Sequence, residues 1–430
     1  MTNHAIKTSP CGQAGFCNGR SLSAGGPLSS QAQKYTFKVL HTFHGPNGNG
    51  PTGVLVRDAA GNLYGTTEAG GTGTCGDYGC GTVFKLNKKG QQVWLHSFDV
   101  TDGEEPITGL IQDSAGNLYG TTAFGGNSNS GCGAFGCGVV FELNSKGQET
   151  VSYKFKKPPD GDEPESILAR DSAGNLYGVT QSGGKPGAGT IFKIEKNGKE
   201  KVLHTFTGGS DGCIPVGGLI MDAARNLYGG TAQGGSGLCD KGFGVVFEVD
   251  ASGSFSVLYE FDYGDGAYPG SLLALDAAGN LYGTTQGGGN SFECEFRGGC
   301  GVAFELSPQA GGKFTETVLY NFCSLAGCDD GTEPVSGPLI RDSQGNLYGT
   351  TYFGGTSRNC NGAGCGVVYK LDSAGQETVL YSFQHGTDGA YPRPGVVMDA
   401  SDNLYGVTQN GGDSTCNSPN GCGTVFRLTP

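Results

Sequence analysis

The chain has 430 residues, of which 82 are glycine and 18 are proline, and only 16% are charged. That much glycine without a Gly-X-Y period excludes collagen, and 23 phenylalanines and 18 tyrosines are too many for a typical disordered chain. No apolar run approaches the ~20 residues of a membrane helix. The 27 basic and 40 acidic residues give a net charge of −13, which disfavours nucleic acid and anionic membranes as partners. These exclusions leave an all-β protein with many turns.

Internal repetition is the main organising signal. The string Asn-Leu-Tyr-Gly occurs seven times, beginning at Asn62, Asn117, Asn175, Asn226, Asn280, Asn346 and Asn403. Each unit carries four short segments rich in Val, Leu, Phe and Tyr, and Gly, Asn, Asp and Ser separate them, which predicts strands and turns. Clear copies of the four are residues 53–58, 118–122, 138–143 and 318–322. Four strands in ~55 residues is the size of a propeller blade.

The order of the copies predicts how the ring closes. The last third strand is residues 423–428, and no fourth strand follows it before Pro430. A surplus fourth strand, residues 39–43, stands at the other end of the chain. We therefore predict a seven-bladed β-propeller over residues 35–430, with four antiparallel strands per blade and the last blade closed by the N-terminal strand. Residues 1–34 are predicted to form a loosely ordered extension, with a loop closed by Cys11 and Cys17.

Aromatic residues recur at one register of two strands, which predicts a core between neighbouring blades. In the third strand they are Phe84, Phe141, Phe192, Phe247, Phe304, Tyr369 and Phe426. In the fourth strand they are Phe43, Phe98, Phe155, Phe206, Phe261, Phe322 and Phe383.

The 16 cysteines favour disulfides over zinc, because the gaps within close pairs are four or five residues and only six histidines are present. The close pairs are Cys11 with Cys17, Cys75 with Cys80, Cys132 with Cys137, Cys294 with Cys300, Cys323 with Cys328, Cys360 with Cys365 and Cys416 with Cys422. Cys213 and Cys239 remain and should pair, because their two loops open on the same face. Eight disulfides predict a secreted, periplasmic or cell-surface protein, although residues 1–30 contain no apolar stretch typical of a signal peptide.

The motif Asp-x-x-Gly-Asn-Leu-Tyr-Gly-Thr-Thr, followed by Gly-Gly and Gly-Val-Val-Phe-Glu-Leu, resembles the GloVer tandem repeat of secreted bacterial proteins. The resemblance spans roughly residues 36–430, and residues 342–351 followed by 366–371 show it well. It implies a β-propeller and no defined chemistry. Arg225 and Asp402 depart from the motif, because they replace the turn glycine.

The link between blades has the signature Asp-Gly-x-x-Pro, for which turn formation is the simplest role. The first copy has Asn47 and Pro51 at the matching places. Calcium is the alternative, because it binds six to eight oxygen ligands. Asp102, Asp160, Asp162 and Glu163 form the best candidate set, with Glu104 and Glu105 nearby. No other cofactor is predicted.

The aspartates that close the first strands share one context, so we predict a structural turn role for them. They are Asp58, Asp113, Asp171, Asp222, Asp276, Asp342 and Asp399. A functional residue should instead lie where the copies differ. Aromatic and charged residues of this kind suit sugar binding, since ring faces stack on sugars and carboxylates accept from hydroxyls. The candidates are Tyr78, Phe135, Tyr268, Phe296, Arg297, Tyr352, Phe353 and Tyr391.

Three functions remain open. The leading hypothesis is an extracellular binding module, with a carbohydrate or cell-surface polymer as partner. The second is a polysaccharide hydrolase or lyase whose site lies at the centre of the loop-bearing face, with catalytic residues that the sequence does not identify. The third is a structural protein of the cell surface.

Overall fold

The computed structural model of the protein describes residues 35–126, 132, 135–156, 158–290, 294, 298–334 and 337–430. In these ranges the chain forms seven small antiparallel sheets, the blades of a β-propeller, and each blade has strands in the order first, second, third and fourth. The fold class is therefore confirmed. The two residues Gly161–Asp162 pair separately with Ser182–Gly183. No helix in the described ranges has the length and apolarity needed to cross a membrane.

The strands recur at matching places in every blade. The first strands are Val56–Arg57, Ile111–Gln112, Ala169–Arg170, Cys213–Met221, Ala274–Leu275, Ile340–Arg341 and Val396–Met398. The second strands are Leu63–Thr67, Leu118–Thr122, Leu176–Thr180, Leu227–Gln233, Leu281–Thr285, Leu347–Phe353 and Leu404–Thr408. The third strands are Thr82–Leu86, Val139–Leu143, Thr190–Ile194, Val245–Val249, Val302–Pro308, Val367–Leu371 and Thr424–Thr429. The fourth strands are Gln92–Ser97, Glu149–Lys154, Glu200–Thr205, Phe255–Glu260, Phe314–Asn321, Glu377–Ser382 and Thr36–Thr42.

Three short elements complete the described secondary structure. Thr332–Pro334 pairs with the second strand of the sixth blade, beside the first strand of that blade. Single turns of 3-10 helix occur at Gly76–Tyr78 and Ala326–Cys328.

The last blade takes its fourth strand from the start of the described chain. Thr36–Thr42 pairs antiparallel with Thr424–Thr429, so that Val39 lies opposite Phe426. The Phe43 amide donates to the carbonyl of Gly423 (3.1 Å) and extends this pairing. The third strand of the last blade therefore has a partner on both sides, and its edge is not exposed.

The aromatic residues form the core between blades, as the sequence predicts. The phenylalanine that the sequence places in each fourth strand lies one residue after the end of that strand and packs against the third-strand ring of the next blade. For example, the centroids of Phe98 and Phe141 are 5.0 Å apart and both rings are fully buried. The glycine of Asn-Leu-Tyr-Gly makes room for the third-strand ring, because a Cβ on Gly120 would lie 2.6 Å from the ring of Phe141. Packing against this ring thus explains the glycine of the repeated motif.

The sixth blade carries a tyrosine, Tyr369, where the other six carry phenylalanine. Its hydroxyl is buried and finds no hydrogen-bond partner in the described chain. An unpaired buried hydroxyl costs about 1–3 kcal/mol. We therefore expect Tyr369→Phe to raise the free energy of unfolding by about 1 kcal/mol, measured by chemical denaturation. Tyr348→Phe is the control and should lower it, because the Tyr348 hydroxyl donates to Asp342 (3.1 Å). A destabilised Tyr369→Phe variant would contradict this account.

The aspartates that close the first strands have the predicted turn role. Asp58 accepts from the backbone amide of Asn62 (2.8 Å), from its side-chain amide (2.7 Å) and from the Tyr64 hydroxyl (3.0 Å). Equivalent bonds recur in the other six blades. Arg225 and Asp402 adopt the left-handed conformation of the glycines they replace, with φ of 74° and 59°. These turns, with those between third and fourth strands, define the turn face.

The opposite surface is called the loop face, and it carries the second-to-third loops and the links between blades. Seven disulfides lie in the described chain, and every pair predicted there is present. They join Cys75 to Cys80, Cys132 to Cys137, Cys213 to Cys239, Cys294 to Cys300, Cys323 to Cys328, Cys360 to Cys365 and Cys416 to Cys422.

Cys11 and Cys17, predicted to form the eighth disulfide, lie outside the described residues, so that pair stays a prediction. Cys365 is fully buried and bonded to Cys360 as predicted, and its Sγ also lies 3.4 Å from the Ser357 hydroxyl. The disulfide at Cys365 therefore also contacts the polar part of its own loop.

The aspartate of each link binds the fourth strand that precedes it. The Tyr153 hydroxyl donates to Asp160 (2.8 Å), and His204 Nε2 lies 3.1 Å from Asp211. Similar contacts join Tyr259 to Asp265, Tyr320 to Asp330, Tyr381 to Asp388 and, at 3.5 Å, His96 to Asp102. These carboxylates therefore hold the links in place, which is the turn role.

The next blade contributes one side chain to each of these contacts, from the start of its fourth strand. Phe255 stacks on His204 at 3.8 Å, and Phe37 stacks on Tyr381 at 4.1 Å. Four other blades place a glutamate there: Glu149, Glu200, Glu316 and Glu377. Oε1 of each is buried and has no hydrogen-bond partner in the described chain. The first blade has Gln92 at this place.

Candidate functional site

Each link ends in a left-handed residue followed by proline. The φ angle is 56° at Glu105, and its amide donates to Cys80 (3.0 Å) while its carbonyl accepts from Ala123 (3.0 Å). These bonds tie the link to both neighbouring blades, so the backbone is fixed and the side chain can differ between copies. The seven residues at this place are Gly50, Glu105, Glu163, Ile214, Tyr268, Glu333 and Tyr391.

Two further positions on the loop face vary in the same way. One follows the proline and holds Thr52, Ile107, Glu165, Val216, Gly270 and Arg393 in the six described copies. The other follows the second-strand threonine and holds Glu68, Ala123, Gln181, Ala232, Gln286, Tyr352 and Gln409. Otherwise similar blades therefore present different side chains towards the centre of the loop face.

All the described residues that follow a link proline line a cavity at the centre of the ring, together with some residues of the other two positions. First-strand segments of neighbouring blades meet there; for example, the Ile167 amide donates to Gly217 (3.3 Å). The cavity has a volume of about 280 Å³. Its apolar lining includes Val54, Ile107, Ile167, Ile214 and Val216, and its polar lining includes Thr52, Glu165, Gln181, Tyr268, Gln286 and Arg393. The wall thus mixes apolar side chains, which can contact a small ligand, with polar groups that can orient it.

Glu165 is the most perturbed acid of this cavity. Burial above all, with the carboxylates of Glu163, Glu105 and Glu68, raises its pKa to about 7, although Arg393 opposes the shift. Its Oε2 accepts from Gln181 Nε2 (3.3 Å). Near neutral pH this group can therefore hold or release a proton.

Three of the predicted aromatic residues form one cluster. The rings of Tyr352 and Tyr391 stack at 4.8 Å, and Phe353 meets Tyr352 edge-on at 4.6 Å. The Tyr352 hydroxyl donates to Oε1 of Gln409 (3.3 Å). Tyr268, a fourth predicted residue, lines the central cavity itself.

The remaining predicted binding residues lie elsewhere. Tyr78 and Phe135 belong to the loops of the first two blades and have exposed fractions of 67% and 64%. Phe135 contacts Phe124, with ring centroids 6.1 Å apart. Phe296 and Arg297 lie outside the described residues.

The carboxylates predicted to bind calcium have other partners in the structure. Asp102 accepts from the Asp99 amide (2.7 Å), and Asp160 accepts from Tyr153 and from the Lys156 amide (3.0 Å). Glu163 accepts from the Ser182 hydroxyl (3.0 Å). Among described residues, side chains that could share a metal ion form two groups, both built on disulfide cysteines, and Asp162 belongs to one of them. Calcium binding stays a prediction.

Sequence reasoning missed Glu165, Arg393 and Gln181. Their signal was available, because each stands at a repeat position where the copies differ: after the link proline or after the second-strand threonine. The same rule found Tyr268, Tyr352 and Tyr391.

Comparison with known proteins identifies the repeat. The family model described as the Gloeobacter/Verrucomicrobia repeat matches residues 24–132, 131–328 and 293–430. No curated protein matches the chain.

Solved structures share the fold. Two extracellular domains, described as parts of two-component systems of B. thetaiotaomicron, are 13% and 12% identical, each with a TM-score of 0.51. The alignments cover 92% and 91% of this chain but only 41% and 39% of those chains. At this identity the likeness concerns the fold alone.

Proposed function

The chain belongs to the Gloeobacter/Verrucomicrobia repeat family, and from that premise we propose that it is an extracellular module that binds glycans in the central cavity of the loop face. The observation that carries the proposal is the placement of the variable residues. Repeated residues serve packing, turns and links, whereas one cavity is lined by residues that differ between copies, including every described residue that follows a link proline. A glutamate, two glutamines and a tyrosine set among apolar side chains suit a sugar, which offers hydroxyls and an apolar ring face.

Two observations support an extracellular setting. The described chain contains seven disulfides, and such bonds persist in oxidising compartments. The similar solved structures are extracellular domains, although they share only the fold.

The proposal is tested on a glycan array, followed by calorimetric titration of the glycans that bind. We expect Arg393→Ala and Glu165→Gln each to weaken binding roughly tenfold, the loss expected when a hydrogen-bonding charged group is removed. The matched control is Glu195→Gln, which removes a carboxylate from a turn of the third blade on the turn face. Retention of no neutral, amino-sugar or acidic polymer would contradict the proposal.

A hydrolase at the same cavity is the second candidate, and Glu165 favours it. A pKa of about 7 is in the range of a general acid, and Glu163 and Glu105 are near enough to affect it. Glycoside hydrolysis needs such an acid and a second carboxylate ~5–10 Å away. Release of new reducing ends from a bound oligosaccharide, abolished by Glu165→Gln, would establish this candidate.

A further inference from the structure

The ring of residues that precede the link prolines has one gap. Six copies carry a side chain at this left-handed position, whereas the copy between the last and first blades has Gly50, with φ of 64°. A Cβ at Gly50 would lie 3.8 Å from Glu68 and 4.0 Å from Gln409, which is ordinary contact. A side chain at position 50 would therefore fit, but glycine provides none.

Two depressions continue outward from the gap. The inner one, about 310 Å³, is lined by Gly50, Glu68, Glu105 and Gln409 and reaches Tyr78. The outer one, about 430 Å³, shares Tyr78 with it and extends between the loops of the last and first blades. On the other side of Gly50, Thr52 lines the central cavity.

We propose that the central cavity and these two depressions form one groove that binds an extended amino-sugar polymer, whose end reaches the cavity over Gly50. This inference rests on the proposed function and adds the form and the charge of the ligand. Three successive depressions suit consecutive sugar units, whereas the central cavity alone would suit a single small ligand.

The charge of the groove favours a cationic chain. Glu68, Glu104 and Glu105 line the inner depression. Glu165 lines the central cavity, and among the described residues that line this cavity Arg393 is the single basic one. Carboxylates attract the ammonium group of a glucosamine unit and repel a uronate. At the outer end, the exposed ring of Tyr78 offers a face on which a sugar can stack.

The decisive experiment closes the gap in the intact chain. Gly50→Tyr places at this position the residue that Tyr268 and Tyr391 supply in two other copies, and Gly50→Ala is the control with the same backbone conformation but little bulk. Binding of glucosamine hexamer and of free glucosamine is measured by calorimetry. We expect wild-type protein to bind the hexamer at least about tenfold more tightly, Gly50→Tyr to abolish this advantage, and Gly50→Ala to retain it.

A second variant tests the outer end without touching the backbone. Tyr78→Ala should weaken hexamer binding roughly fivefold and leave glucosamine binding unchanged, whereas Leu238→Ala, an equally exposed residue of the fourth blade, should change neither. Equal affinity of wild-type protein for hexamer and monomer would overturn the groove while the proposed function stands. Preference for a galacturonate hexamer would overturn the cationic ligand. Failure to bind any saccharide would overturn the proposed function itself.

Discussion

A chain shortened to residues 45–430 should aggregate or lose most of its thermal stability, whereas a chain of residues 35–430 should fold. The longer deletion removes the strand Thr36–Thr42 and leaves Thr424–Thr429 with an open edge. It also removes the fully buried Phe43, whose ring lies 5.1 Å from that of Phe84. Loss of one buried phenylalanine costs about 3–5 kcal/mol, a large part of a typical folding free energy of about 5–15 kcal/mol. Thermal melting and size-exclusion chromatography of both chains provide the measurement.

Two point variants separate closure from the general effect of truncation. Phe43→Ala and Phe98→Ala remove equivalent rings, one directly after the closing strand and one directly after the fourth strand of the first blade. If the closing strand is an integral part of the ring, both should lower the free energy of unfolding by about 3–5 kcal/mol. Equal stability of the two truncated chains, or a Phe43→Ala variant as stable as wild type, would show that the ring does not depend on this strand.

We also expect the protein to be more stable near pH 5 than near pH 8. Burial, together with nearby aspartates, raises the pKa of Glu149, Glu200 and Glu316 to about 7 and that of Glu377 to about 8. Burial is the larger cause, and the aspartates add to it. They are Asp102 and Asp99 for Glu149, Asp160 for Glu200, Asp265 and Asp262 for Glu316, and Asp330 for Glu377, while His96 and Lys154 oppose the shift at Glu149.

The sign follows from proton linkage. These four glutamates stay protonated in the folded state up to about pH 7, whereas in the unfolded state they ionise near their ordinary pKa of 4.5. Between these values the folded state binds more protons, so stability falls as pH rises. The side chains are only partly buried, so we allow about 1 kcal/mol for each after solvent screening. Together they should lower the melting temperature by roughly 5 °C between pH 5 and pH 8.

Replacing all four glutamates by glutamine should remove most of this slope and raise the melting temperature at pH 8. The first blade already carries Gln92 at the equivalent place, so the packing accepts an amide. Glu260→Gln, an exposed residue of another fourth strand, is the control. At lower pH, stability should instead fall as the pH falls. Burial tends to raise the pKa of Asp58, but bonds from Asn62 and Tyr64 lower it overall, so its stabilising contribution is lost on acidification. A wild-type melting temperature that rises from pH 5 to pH 8 would contradict this account.

The fold was predictable from the sequence because the repeats could be counted. Seven third strands and a displaced fourth strand predict a ring that is closed by pairing the N-terminal strand with the last third strand. The pairing of Val39 with Phe426 is this closure. Cys213 and Cys239 are the cysteines left over from the close pairs, blade geometry predicts that they pair, and the structure confirms that disulfide.

The candidate site was only partly predictable, because the repeat does not show how far each loop residue lies from the centre of the ring. Tyr268 and Phe135 both look like unusual aromatic residues of the loop face, yet one lines the cavity and the other lies on an outer loop. Glu165 and Arg393 are 228 positions apart in sequence, and only the closed ring brings them to one cavity. Variation among copies indicates which positions to examine. The closure of the ring decides which of these positions lie together at the central cavity.

The pairing of Thr36 with Thr429 has a practical consequence for orientation. Both residues stand where their strands reach the turn face, because Thr36–Thr42 runs towards the loop face and Thr424–Thr429 runs away from it. A protein fused after residue 430, or a solid support coupled there, is therefore attached on the side away from the cavity. An immobilised propeller would point its cavity outward, towards whatever polymer passes over it.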